Sequence, residues 1–115
     1  MRRKTMIVAA VLVSLGGTAA YASVRSVMYD FRVTTRQAIG LIRGSFSTSK
    51  ASQVFSDFAA EADSGARSSG GHRRTLFLQF KKQALAEASN VSDKAHFKRS
   101  LISLTHRCGQ CHNGG

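Results

Sequence analysis

The 115-residue chain has no proline and no tryptophan, only two cysteines, and six acidic residues against 17 lysines and arginines. Without proline, the strongest helix breaker is missing. With seven Phe and two Tyr as its only aromatics, the chain is poorly furnished for a β-sandwich of short strands. These shortages favour an all-α domain. The length admits one such domain and is too small for two well-cored ones. The shortage of acids leaves a formal net charge of +11. Such a charge suits nucleic acid, an acidic partner or a membrane surface, and composition alone does not choose among them.

The first 22 residues read as a separate segment. Arg2, Arg3 and Lys4 precede the uncharged, apolar run Met6 to Leu15, and Ala20-Tyr21-Ala22 places small residues where a signal peptidase reads. A cleavable secretory signal over 1–22 is expected, with export to the periplasm. An uncleaved membrane anchor is the rival reading, because Met6 to Ala22 is 17 residues without a charge, near the lower limit for spanning a bilayer. Cleavage would remove three of the 17 basic residues and no acid, leaving 14 against 6, a net +8.

The remaining segment, 23–115, reads as four amphipathic helices. Val24, Met28, Phe31, Thr35, Ala38 and Ile42 step at helical spacing, with Val27 and Ile39 on the flanks and Gly44 as the stop. Ala51, Val54, Phe55, Phe58, Ala59 and Ala62 form a second stripe, entered through Ser47, Thr48 or Ser49 as N-cap. Ser64 to Gly71 is rich in Gly and Ser and reads as a loop. A third helix is expected over Arg74 to Ser89, with Leu76, Phe77, Phe80, Ala84, Leu85 and Ala88 inward. Asn90-Val91-Ser92 breaks it, and Ser92 can cap a fourth helix from Asp93, on which Phe97, Leu101, Leu104 and Cys108 form the stripe. Four such helices joined by short loops pack most naturally as an antiparallel four-helix bundle. No repeat and no catalytic Gly-rich loop is present, and no enzymatic activity is expected.

Both cysteines fall in Cys108-Gly109-Gln110-Cys111-His112. Two thiols three residues apart, followed at once by an imidazole, meet the needs of c-type haem attachment. The thiols add to the two vinyl groups, and the adjacent histidine reaches the iron as proximal ligand. A disulfide across so short a loop would constrain the unfolded chain little. A thioredoxin-like pair opens a helix after a strand, whereas this one closes a helix. A zinc site would need further histidines to complete four ligands. The pattern therefore predicts one covalent haem c.

For the second axial position the candidates are few. Met28 is the only methionine beyond the expected signal. A methionine on an apolar stripe is also ordinary core packing. His96 and His106 share a helix with His112, so neither readily reaches the opposite face of the same porphyrin, and His72 lies in the expected loop. Met28 is the best of these candidates.

With its haem motif on the last helix, segment 23–112 resembles the class II c-type cytochromes, comprising cytochrome c′ and its low-spin His/Met-ligated relatives. The first helix is similar to the family pattern as well, since Met28 lies sixteen positions before the glycine of Leu41-Ile42-Arg43-Gly44. The resemblance implies an antiparallel four-helix bundle with a C-terminal C-x-x-C-H haem site. It implies a six-coordinate iron held by His112 and Met28, with Val24, Phe31 and Leu104 packed near the ring. The implied function is periplasmic electron transfer. The alternative is a five-coordinate cytochrome c′-like protein that binds NO or CO where Met28 does not ligate. Many relatives are dimers, so a homodimer is part of what the resemblance implies. The chain departs from the family in ending at Asn113-Gly114-Gly115 and in placing Arg25 three, not four, residues before Met28.

Export and the absence of a nucleic-acid-binding motif disfavour nucleic acid. Arg32, Arg36, Arg43, Arg73, Arg74, Lys81 and Lys82 are read either as a solvated face or as a docking field for an acidic redox partner protein or an anionic membrane surface.

Overall fold

The computed structural model describes residues 24–114, with side chains through Arg107. The export signal expected over 1–22 lies outside them. Four helices follow in order: α1 (Val24–Arg43), α2 (Thr48–Arg67), α3 (Gly71–Asn90) and α4 (Lys94–Gly114). No strand occurs among the described residues. Each helix packs against its neighbour in sequence, as short connections require of antiparallel helices. The α2–α3 pair is the most intimate, whereas α1 and α4 touch only sparingly.

The helix ends are set by local chemistry. Gly44 closes α1, its N–H donating to the Gly40 carbonyl at 2.8 Å. Ser47 is the N-cap of α2, its hydroxyl accepting from the Lys50 N–H. The N-cap of α4 is Asp93, whose Oδ1 accepts from the His96 N–H at 2.7 Å. The expected cap, Ser92, is displaced by one residue because the carboxylate is the stronger acceptor and favours the helix N-terminus.

Two boundaries differ from expectation. The Ser64–Gly71 stretch is a loop only from Ser68 to Gly70, since α2 continues through Ser64, Gly65, Ala66 and Arg67. Gly65 and Ala66 are buried, and a Cβ on Gly65 would lie 2.7 Å from Phe77 Cε1. Close approach of α3 therefore holds Gly65, a weak helix former, in helical conformation, overriding local propensity. Helix α3 begins at Gly71, whose φ of +60° suits a residue without Cβ. His72 consequently sits in the first turn of α3 and not in a loop.

All seven phenylalanines enter the packing in two clusters. Phe31 stacks on Phe80 at 4.9 Å and meets Phe58 at 5.8 Å and Phe77 at 6.3 Å. Phe97 meets Phe55 at 5.3 Å and Phe46 at 5.7 Å. Val27, Thr34 and Ala38 are the buried partners of Phe31 on α1, so the helix is rotated relative to the expected seam, and Met28 and Thr35 lie half-buried at its edge. Leu85, expected inward, is 48% exposed. The inward arc of α3 is filled by Phe77, Phe80 and Ala84, and Leu85 lies one residue, about 100°, beyond Ala84.

Candidate functional site

Phe97, Leu101 and Leu104 are buried on α4, and helical backbone continues unbroken to Gly114. At 3.6 residues per turn, Cys108 and Cys111 extend this stripe by steps of four and three, and His112 lies three turns from Leu101 on the same face. The positions of all three site residues are thus fixed on one side of α4, while their side chains lie outside the described part.

Contacts between helices give the heights. Gln83 of α3 bonds to Ser103 and Arg107 of α4, Lys81 bonds to Asp63 of α2, and Thr34 of α1 bonds to Glu61 of α2. Carried through these pairs, the antiparallel register puts His112 and Met28 at the same end of the bundle, within about one helical turn in height. Thr34 turns one flank of α1 toward α2. Met28, Thr35 and Ile39 form a row on the other flank, away from Glu61. Ile39 of α1 and Ile102 of α4 are exposed, Ile102 to 61%, and α1 and α4 pack only sparsely against each other. The donor set suits a c-type haem in its chemistry: paired thiols and an imidazole in the sequence of one helix, with a thioether on another helix at matching height. Phe31 and Leu104 are already buried in the protein core, and Val24 packs half-buried against it.

The other histidines are distributed away from this arrangement. His96 lies near the start of α4, with its Nε2 buried and unpartnered, and His106 is exposed. His72 shares the Met28 end but is exposed. No cluster of His, Cys, Asp and Glu suited to a metal ion occurs among the described residues.

Sequence reasoning missed one polar feature of the interior. Glu61 is half-buried between α1 and α2. Its Oε2 accepts from Thr34 Oγ1 at 2.6 Å, and its Oε1 is buried without a partner. Burial pushes this carboxyl up to about 7, reinforced by the nearby charges of Asp30 and Asp57 and opposed by the Thr34 hydrogen bond. The signal was its spacing: Glu61 follows Phe58 by three residues between Ala60 and Ala62, at the edge of the apolar stripe. Asp63 is the opposite case. The Lys81 hydrogen bond, aided by Arg67, holds it below the usual carboxylate range.

Two clefts lie elsewhere. One of about 240 Å³ is lined by Gln37, Leu41, Lys50, Gln53, Val54 and Asp57 between α1 and α2. The other, an open groove of about 730 Å³ between α3 and α4, is lined mainly by Gln79, Lys82, Gln83, Glu87, Ser103 and Arg107. No helix among the described residues is long and apolar enough to cross a membrane. No family model, curated protein or solved structure matches the chain.

Proposed function

We propose that this chain is an exported, periplasmic electron-transfer protein of the class II c-type cytochrome kind. The observation that carries the reading is the C-x-x-C-H motif at the end of α4, at the height of the half-buried Met28 across the loosely closed α1–α4 seam. Cys108 and Cys111 are the covalent attachment points, His112 is the proximal ligand, and Met28 is the distal ligand. A bound haem supplies a one-electron ferric/ferrous couple. The chain's own contribution is to fix the two axial donors on separate helices and to exclude water. Phe31 and Leu104, both buried, would pack near the ring and keep water away, and the Met28 thioether would favour the reduced form.

One observation favours a second reading. Met28 packs against the hydrophobic core, and were it held there the distal side would stay open, as in a protein binding NO or CO. Two measurements separate the possibilities. Haem absorbance that persists in purified, denatured protein and disappears in the Cys108→Ala/Cys111→Ala variant supports covalent attachment, and its absence overturns both readings. A near-infrared methionine-to-iron band in the ferric protein, lost in Met28→Ala and retained in His72→Ala, supports six-coordination. A high-spin ferric spectrum that Met28→Ala leaves unchanged supports the gas-binding reading.

A further inference from the structure

The six acidic residues of the chain leave the exposed outer row of α3 without an acid of its own. Asp30 and Asp57 lie near Glu61 along the α1–α2 side. Asp63 is engaged by Arg67 and Lys81, and Asp93 caps α4. Glu87 is half-buried at the α3–α4 groove. None of them belongs to the exposed outer row of α3, though Glu87 shares the α3–α4 groove with Lys82 at the margin of that row.

That face carries Arg74, Leu78, Lys82 and Leu85, at steps of four, four and three, all exposed. Leu78 is 42% and Leu85 48% exposed, on the side of α3 turned away from Phe77, Phe80 and Ala84. The row spans three helical turns, and each leucine has a cation within one turn of it.

We propose that this outer face of α3 docks the protein onto the surface of an anionic lipid bilayer. Arg74 and Lys82 supply attraction to headgroup phosphates, and their aliphatic stems can lie along the interface while Leu78 and Leu85 enter the acyl boundary. A straight, narrow row of this kind suits a laterally fluid surface. It lacks the Trp and Tyr anchors that dominate binding to another folded protein. Association is peripheral, since no helix among the described residues can span the bilayer. The surface is independent of the haem reading, because α3 contributes none of the proposed attachment or axial residues.

The test is co-sedimentation of the full chain with vesicles of phosphatidylglycerol and phosphatidylcholine in equal parts, and with phosphatidylcholine alone. Binding to the anionic vesicles only, weakening with salt, is expected. Neutralising Arg74 or Lys82 to Gln should each lower the partition about fivefold. Leu78→Ser/Leu85→Ser should abolish the part of binding that survives high salt. Arg36→Gln and Arg43→Gln on α1 make the same change in net charge and should have little effect; far-ultraviolet circular dichroism confirms that every variant is folded. The proposal is overturned by absence of binding to the anionic vesicles. Equal loss from the α1 and α3 variants overturns it too, as does undiminished binding of the α3 variants, which would assign attachment to another part of the chain. Salt-sensitive capture of polyglutamate without vesicle binding would point instead to an acidic protein and also overturn it.

Discussion

Thr34 donates a 2.6 Å hydrogen bond to Glu61 across the α1–α2 interface while the second carboxylate oxygen of Glu61 is buried with no partner. Burial favours the protonated acid in the folded chain, against the opposing Thr34 hydrogen bond, and moves its pKa from 4.5 to about 7. Between those values the unfolded chain releases a proton that the folded chain keeps. Stability should therefore be highest below the lower value, fall as pH rises through the window, and level off above the upper one. Glu61→Gln should remove this slope and stabilise the protein at pH 8 by about 1 kcal/mol, discounted for partial exposure of the group. Urea titrations at several pH values check this. A slope that persists unchanged in the variant would assign it to other groups.

Gly65 lies under the Phe77 ring, and an added Cβ would come within 2.7 Å of it. Phe77 is almost fully buried and has little room to withdraw. Gly65→Ala should cost about 1–2 kcal/mol net, overpacking outweighing the better helix propensity of alanine. Coupling measured in a double-mutant cycle with Phe77→Leu should recover part of the loss.

Phe58 touches Phe31 and Phe80 edge-on from a position only 1% exposed. Phe58→Ala is expected to lower unfolding free energy by about 3–5 kcal/mol. Removal of the exposed Tyr29 side chain should change it by less than about 0.5 kcal/mol. Equilibrium denaturation of the two variants side by side makes the comparison.

Met28→Leu separates packing from ligation. The swap conserves volume and should cost less than about 1.5 kcal/mol of stability. On the proposed ligation it should nonetheless eliminate the methionine-to-iron band and lower the reduction potential. A potential unchanged by the substitution would leave Met28 as a packing residue.

Asp93→Ala removes the side-chain acceptor at the start of α4 and should cost about 1 kcal/mol. Asp93→Asn should cost much less, because the amide oxygen can still cap. Thermal melts of both variants test the assignment.

The four helices were legible because apolar residues recur at steps of three and four and the breaks between them are rich in Gly, Ser and Asn. What remained hidden depended on partners. Ser64-Gly65-Ala66 has a loop composition, and only the approach of Phe77 shows why small residues are needed in a helix there. The rotation of α1, which buries Val27 and Thr34 in preference to Met28 and Thr35, follows from where α2 and α3 lie against it. Leu85 followed a core residue in sequence yet fell on the outward face for the same reason. The candidate site divides similarly. Its motif is contiguous, so Cys108, Cys111 and His112 could be found in the sequence. The common height of Met28 and His112 required the inter-helix register, and Glu61 resembled a solvated acid until Thr34 was placed beside it.

The three connections of the bundle, 44–47, 68–70 and 91–93, are short, and helices consecutive in sequence pack most extensively against each other. Such topology costs little loop-closure entropy and predicts rapid folding. The intimate α2–α3 hairpin is the natural first unit to form. Bringing α4 beside α1 joins the most distant parts of the described chain and gains the least packing. That seam should open at lower free energy than the rest, with hydrogen exchange fastest along the facing turns of α1 and α4.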